Sequence, residues 1–264
     1  MLKKTLISAA VAASLFALSA PASATLTNWY VDTDGAGGNA PVLVHDYLDI
    51  VGAAFVNNTL YSATNFTFNE VGRFGTPSTD GGTLLGGQTL SPQFQAYFSG
   101  TGSGTAGGNL SFNPGGLLSV FSGANDIANF SLQSGSAVLN ANSTLPNGTI
   151  SLIFKATSMS TGYFFDSAMH DLSLQANSPT GLVLGFATTN AIPLTGNVST
   201  ALIGDYNSLF SPTFANPVTP DGRELLYISN NGQFRLSVPE PSILSLLGIA
   251  LVGVGFSTRR KSQS

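Results

Sequence analysis

The chain contains no cysteine and unusually little charge. Of its 264 residues, only 8% are Asp, Glu, Lys or Arg, and none is Cys. Without cysteine there is no disulfide, no thiolate metal site and no cysteine nucleophile. From Thr25 to Val238 the chain has twelve acidic and four basic residues, a net charge of −8. Because phosphate contacts need clustered Lys or Arg, nucleic acid is not an expected partner.

Residues 1–24 have the three parts of a secretory signal peptide. Lys3 and Lys4 give a positive start, residues 6–18 are apolar or small, and Ala22 and Ala24 form an A-x-A cleavage site. We therefore expect cleavage after Ala24 and export of the remaining chain across the inner membrane. The alternative is an uncleaved membrane anchor, which the short apolar core disfavours.

Residues 238–264 combine a proline motif, an apolar run and a basic end. The motif is Pro239, Glu240 and Pro241, the apolar run is 243–256, and the basic end is Arg259, Arg260 and Lys261. Fourteen helical residues span about 21 Å, less than the roughly 30 Å of a bilayer's hydrocarbon layer. The run therefore predicts a marginal membrane helix, stopped by cations that stay on the cytoplasmic side. A permanent tail anchor is the alternative.

This tail resembles the PEP-CTERM sorting signal, in which a Pro-Glu-Pro motif, a short membrane helix and an Arg-rich end follow one another. The resemblance implies that an exosortase, a membrane cysteine protease, recognises Pro239, Glu240 and Pro241 and cleaves near them. Anchoring in the inner membrane would then be transient, and the product would reach the cell surface or the extracellular matrix. Carriers of this signal usually occur in Gram-negative bacteria that make exopolysaccharide and biofilm.

The body, residues 25–237, consists of short runs that alternate apolar and polar residues. Such alternation favours strands with one face on a core and one in water. The clearest runs are 66–71, 127–132, 149–155, 182–188 and 233–238, and turn signals lie at 114–116, 146–148 and 230–232. We therefore predict an all-β body, an antiparallel β-sandwich of which a jelly roll is one form, with one short helix at 201–210.

Aromatic residues are mainly phenylalanine, with 18 Phe against 7 Tyr and 1 Trp. Phe at alternating strand positions is expected in the core rather than on a ligand platform. Trp29 and Tyr30 have the chemistry to stack on a sugar, but docking of a first strand by its aromatic residues is the favoured interpretation.

Several body segments resemble those of the flocculation-associated PEP-CTERM proteins. The matching segments are 45–49, 66–74, 98–105, 162–165 with 171–173, and 185–191. The resemblance implies a non-catalytic role in floc formation, where exported protein and exopolysaccharide hold cells together. It supplies no catalytic residue and no cofactor.

Few patterns in the body point to catalysis or metal binding. The G-x-G-x-x-G match at 102–107 is not followed by a helical pattern and is interpreted as a hairpin loop. His45 and His170 are each followed by Asp, but no nucleophile elbow accompanies them. Asp32 and Asp34 are the metal candidates, as the start of a calcium loop whose later ligands are missing.

Two alternatives to a flocculation protein remain open: a lectin for exopolysaccharide and a matrix glycoside hydrolase. A hydrolase needs two facing carboxyl groups, and the sequence distinguishes no pair among Glu70, Asp166, Asp171 and Glu224. A third interpretation is a structural subunit that self-associates through strand edges.

Overall fold

The computed structural model describes residues 23–35, 40–80, 82, 94–139, 148–178 and 183–239. By its internal contacts the chain divides into a body, residues 25–237, and a second unit made of residues 1–24 and 238–264. No helix among the described residues is both long enough and apolar enough to span a membrane. The predicted membrane helix at 243–256 lies outside the described residues.

The described part of the chain is mostly strand. The strands are β1 (Ser23–Thr25), β2 (Trp29–Val31), β3 (Val42–Val44), β4 (Leu48–Leu60), β5 (Asn65–Thr79), β6 (Phe94–Thr105), β7 (Leu110–Phe112), β8 (Leu117–Ser122), β9 (Asn125–Leu139), β10 (Gly148–Met159), β11 (Phe164–Phe165), β12 (Leu184–Pro193) and β13 (Leu225–Pro239). The helices are α1 (Ser173–Ala176) and α2 (Thr200–Leu209). The all-β prediction is confirmed, and the helix predicted at 201–210 is α2.

The long strands form one antiparallel sheet that closes on itself. Its order is β4, β5, β6, then one position shared by β7 and β8, then β9, β10, β12 and β13. Each of β7 and β8 pairs with both β6 and β9. β13 also pairs with β4, from Leu225 opposite Asn57 to Phe234 opposite Leu48. The predicted β-sandwich, jelly roll included, is therefore wrong. Two packed sheets would leave β4 and β13 as edges, whereas here these strands are hydrogen-bonded to each other and complete an eight-position barrel.

The strands of the barrel are strongly tilted. One circuit along directly paired residues starts at Ser78 on β5, crosses β4 at Asp49, and returns to β5 at Thr67. A circuit that ends so far from its start on the same strand requires tilt, as closure of a sheet into a barrel demands. Side chains along each strand alternate between the lumen and the outer face.

Phenylalanine rings fill much of the lumen by lying across glycines. A Cβ atom on Gly102 would overlap the Phe68 ring and the carbonyl oxygen of Ser111, and one on Gly185 would overlap the Phe234 ring. The glycine-rich segment 102–107 is mainly strand, because β6 continues to Thr105. The hairpin loop predicted at 102–107 is therefore wrong for its first four residues.

The predicted turn at 230–232 is also wrong, because these residues lie inside β13. A Cβ on Gly232 would overlap the carbonyl oxygen of Thr188 on β12. The glycine thus permits close approach of two strands rather than a reversal of the chain. The turn predicted at 114–116 is confirmed between β7 and β8.

Helix α2 covers part of the outer face of β4 and β5. Phe55 and Val71 point away from the lumen and pack against Leu202, Ile203 and Tyr206 of the helix. Because this region is covered on both faces, residues 54–58 are all buried and lose the alternation typical of a half-exposed strand.

A small sheet of β11, β2 and β3 brings aromatic residues to one end of the lumen. Phe164 of β11 contacts Phe94 of the barrel, with 6.3 Å between ring centroids, and lies 6.4 Å from the fully buried Trp29. Docking through Trp29 is therefore confirmed, although its strand is β2 rather than the first one and Tyr30 is only half-buried.

Glycine-to-alanine substitutions should test the packing of rings on glycines. Gly102→Ala should lower the free energy of unfolding by about 1–3 kcal/mol, because the new methyl group overlaps a ring and a backbone carbonyl. Gly204→Ala, on the exposed face of α2 where a Cβ meets nothing, should raise it by roughly 0.5–1 kcal/mol. Chemical denaturation measures both, and equal effects would contradict the packing described here.

Candidate functional site

Two cavities lie in the lumen, and they share one residue, Glu70. The first has a volume of about 70 Å³ and extends to the barrel end formed by the 61–64 and 106–109 turns. The second has a volume of about 50 Å³ and extends towards Phe164. The other lining side chains are almost all apolar, mainly Phe, Leu, Ile and Val. Each cavity has room for a few water-sized groups.

Strand alternation places the side chain of Glu70 in the lumen. It follows Phe66 and Phe68 on the inward face of β5, and its exposed fraction is only 5%. No described residue forms a hydrogen bond or ion pair with its carboxyl group. A carboxyl group taken from water without a partner is strongly disfavoured in its ionised form.

Burial raises the pKa of Glu70 from its ordinary value of 4.5 to about 8. At pH 7 the group is therefore mostly a neutral acid. A neutral carboxyl group donates one hydrogen bond through its O–H and accepts others through its oxygens. The lumen thus contains one hydrogen-bond donor, the carboxyl O–H of Glu70, that has no acceptor among the described residues.

Asn58 supplies a second polar group to the first cavity. Its side-chain Nδ2 donates to the backbone carbonyl of Arg223 at 2.8 Å, while its buried Oδ1 has no partner among the described residues. Asn58 lies opposite Phe68 and Glu70 lies opposite Val56, so Asn58 and Glu70 are diagonal neighbours on the inward face. Such positions are about 7–8 Å apart, and both residues line the first cavity.

A larger, open groove of about 250 Å³ lies on the outside of the barrel. Ser99 and Thr101 of β6 contribute hydroxyl groups to it, the 114–116 turn forms one side, and Leu209 with Phe210 at the end of α2 forms another. Asn113 Nδ2 donates to Thr101 Oγ1 at 3.1 Å. Hydroxyl-bearing and aromatic residues therefore meet in this groove.

An aromatic cluster continues along the outer face of β6. The Tyr97 and Phe121 rings are 4.9 Å apart between centroids, and the Arg73 guanidinium lies 4.6 Å from the Tyr97 ring centroid. Arg73 Nη2 donates to Asp205 Oδ1 of α2 at 2.8 Å. The hydrogen bond to Asp205 raises the pKa of Arg73 above its ordinary value, so the cation is permanent.

The outer face also has a long row of uncharged polar side chains. The circuit described above from Ser78 to Thr67 passes, on its outward positions, through Asp49, Gln233, Thr188, Ser151, Ser136, Ser111 and Ser103. Asp49 is the one charged member, and its Oδ2 accepts from Ser78 Oγ at 3.2 Å. Eight of these nine side chains are neutral hydroxyl or amide groups.

The two calcium candidates lie in a turn after β2. Asp32 Oδ1 accepts from the backbone N–H groups of Asp34 at 3.0 Å and Gly35 at 3.2 Å. Burial and the neighbouring Asp34 raise the pKa of Asp32. Among the described residues no group of three or more His, Asp or Glu side chains is placed to hold a metal ion. Calcium binding remains a prediction.

His170, Asp166 and Asp171 form hydrogen bonds with residues close to them in the sequence. His170 Nδ1 lies 3.0 Å from Asp166 Oδ2, and Asp171 accepts from the backbone N–H groups of Gly162 at 2.7 Å and Ser173 at 2.8 Å. Partial burial opposes ionisation of Asp166, but hydrogen bonds from His170 and Ala168 outweigh it and lower its pKa. Glu224 is exposed in the loop before β13. Of the carboxyl groups described, Glu70 alone lines the lumen cavities.

The predicted processing residues lie mostly outside the described residues. Those outside are Ala22, Glu240, Pro241, Arg259, Arg260 and Lys261. Ala24 and Pro239 belong to β1 and β13. Their roles in cleavage and sorting remain predictions from the sequence.

Sequence reasoning missed Asn58, Tyr97 and Phe121 as site residues. It named Glu70 only as one of four carboxyl groups. The available signal was the alternation Phe66, Phe68, Glu70, which places an acid on the same face as two core rings. The partners of Asn58 and Tyr97 come from distant strands and turns, so no local pattern marks these residues.

One comparison with known proteins gives a match. The model of the PEP-CTERM protein-sorting motif matches residues 237–261. Neither the curated proteins nor the solved structures give a match to the chain. The chain thus carries a sorting motif of known type behind a body for which the comparisons indicate no function.

The buried acid should make stability depend on pH. Between pH 4.5 and 8 the folded protein keeps a proton on Glu70 that the unfolded chain has lost, so stability should fall as pH rises through this window. By pH 7 the loss should be about 3 kcal/mol. Glu70→Gln should abolish this part of the pH dependence.

Urea denaturation from pH 4.5 to 8 measures this effect in wild type and Glu70→Gln. Glu224→Gln makes the same chemical change on an exposed loop and controls for the substitution itself. A wild-type pH dependence that survives in Glu70→Gln would show that Glu70 is not the group responsible.

Proposed function

We propose that this PEP-CTERM sorting-domain protein is a non-catalytic surface or matrix protein that binds exopolysaccharide and promotes cell aggregation. Its sorting motif at 237–261 implies processing by exosortase, export across the inner membrane and a cell-surface or extracellular fate. Transient anchoring by residues 243–256 belongs to the proposal.

The outer groove is the observation that carries this proposal. Sugars offer hydroxyl groups for hydrogen bonds and C–H faces for contact with aromatic rings. The groove presents Ser99, Thr101 and Phe210, and the rings of Tyr97 and Phe121 continue along the same face. Tyrosine combines an apolar ring with a polar end, which suits such mixed surfaces.

The low charge of the surface supports a neutral or weakly charged polymer as partner. The row of Ser, Thr and Gln side chains around the barrel presents hydroxyl and amide groups at the strand spacing of about 4.8 Å. An acidic body with four basic residues offers few sites for anionic groups. Arg73, beside the aromatic cluster, is already paired with Asp205.

The arrangement of carboxyl groups favours binding over hydrolysis. Glycoside hydrolysis needs an acid and a second carboxylate on opposite sides of the scissile bond. No carboxyl group of a described residue lines the outer groove, and the lumen cavities have Glu70 alone. A lectin that binds without aggregating cells remains the second candidate, since the same groove serves both.

Self-association through strand edges has less support. The ring from β4 to β13 is closed, so the long strands offer no unpaired backbone edge to a second copy.

Removal of the outer aromatic cluster should weaken polysaccharide binding. Tyr97→Ala combined with Phe121→Ala should lower the affinity for purified exopolysaccharide about tenfold or more, since each aromatic contact contributes roughly 1 kcal/mol. Co-sedimentation or calorimetry measures the affinity. Tyr61→Ala removes a tyrosine that is 65% exposed on the 61–64 turn and is the matched control. Equal, small losses in both proteins would argue against this surface.

Deletion of the gene should abolish cell aggregation while the polysaccharide is still produced. Settling of the cell suspension and a sugar assay of the medium measure the two quantities separately. Re-expression of the wild-type chain should restore aggregation, and the Tyr97→Ala/Phe121→Ala chain should not. Unchanged settling of the deletion strain would refute the aggregation role.

A further inference from the structure

The lumen has features that an outer-surface role does not use. A packed barrel interior has no need of an acid, and an inward carboxyl group without partners is costly. Glu70 nevertheless lines both cavities. Asn58, which lines the first cavity, has a second unpaired polar atom, its buried Oδ1. Two unsatisfied buried groups beside one cavity point to a molecule that satisfies both.

We propose that the first lumen cavity binds a small, uncharged apolar compound with one hydroxyl group, held between Glu70 and Asn58. The hydroxyl group accepts a hydrogen bond from the carboxyl O–H of Glu70 and donates one to Asn58 Oδ1. Its hydrocarbon part lies among the inward Phe, Leu and Ile side chains. This inference goes beyond the proposed polysaccharide binding and does not depend on it.

The donor and acceptor pattern selects the alcohol. Asn58 has already used its Nδ2 on the carbonyl of Arg223, so its free atom only accepts. The neutral carboxyl group of Glu70 brings a donor. A ligand with one hydroxyl group supplies the complementary acceptor and donor from a single oxygen, whereas a ketone or ester lacks the donor and an alkane lacks both.

Charge argues against ionic ligands. An organic cation would need Glu70 to ionise in a site without further polar partners, which is costly for a buried pair. A carboxylate would bring its own charge beside Glu70 and into an apolar lumen.

The size of the cavities limits the ligand to a short chain or a single ring. The first cavity has a volume of about 70 Å³, and the second, of about 50 Å³, shares only Glu70 with it. Exposed Ala63 and Ala106 line the outer end of the first cavity, so a slender molecule has a route from solvent between the two turns.

Hexan-1-ol and three relatives of equal chain length test the proposal. Hexan-1-ol, hexane, hexanoate and hexylammonium are titrated into the exported protein at pH 6.5, with chemical shifts in NMR spectra as the readout. Hexan-1-ol should bind about tenfold more tightly than hexane, as expected for one or two buried hydrogen bonds. Contacts from the ligand to the Phe68 and Phe112 rings, both lining the cavity, should locate it.

Substitutions at Glu70 distinguish a hydrogen bond to the ligand's hydroxyl group from simple apolar filling of the cavity. Glu70→Gln keeps a donor and an acceptor and should retain the preference for the alcohol, whereas Glu70→Leu should abolish it while hexane still binds. Glu224→Gln is the control. The wild-type preference should change above about pH 8, where Glu70 ionises and can only accept a hydrogen bond, and the preference of Glu70→Gln should not. Arg223 is the one other titratable residue among the described residues lining either cavity.

Three outcomes would overturn the proposal. Equal affinity for hexan-1-ol and hexane would mean that the polar pair holds only water. A preference for the alcohol that persists in Glu70→Leu would place the ligand elsewhere. Tightest binding of hexylammonium would make Glu70 a counter-ion rather than a hydrogen-bond donor.

Discussion

The hydrogen bonds between β13 and β4 join the last long strand of the body to the first. They join residues far apart in the sequence, from Leu225 opposite Asn57 to Phe234 opposite Leu48, and the closed form of the barrel depends on them. Closure removes the strand edges of the ring, imposes the tilt that the Ser78-to-Thr67 circuit reveals, and encloses a lumen. Without this pairing the inward faces of the strands would need a second sheet to cover them.

Once the ring closes, the width of the lumen determines which residues fit inside. Phe rings fill it only because glycines on neighbouring strands leave room for them, as Gly102 does for Phe68. The filling is incomplete beside Glu70, which lines two cavities. The acid, the unpaired oxygen of Asn58 and the two cavities are therefore consequences of one arrangement, and they give the interior a chemistry distinct from that of the surface.

The outer face carries different chemistry on the same strands. Because successive side chains point to opposite faces, β6 contributes Phe98 to the lumen and Tyr97 and Ser99 to the outside. Helix α2 covers one part of the outer face, and its Asp205 holds Arg73 beside Tyr97. The outer groove lies at the margin of this helix, so the placement of α2 on β4 and β5 fixes one wall of the proposed polysaccharide site.

The sequence alone determined the all-β class of the body and the sorting motif at the C-terminus, and it suggested a short helix at 201–210, where the structure has α2. These are local properties, since alternation, helix patterns and a proline motif with its flanks are contained in short stretches of chain. It also determined that Trp29 packs in the core. Whether the sheet closes was decided only by tertiary structure, because a barrel and a sandwich need the same alternation and differ in one pairing between distant strands. The roles of Gly232, Asn58 and Glu70 were decided in the same way: each depends on which residue of another strand lies beside it, and only the closed ring specifies that neighbour.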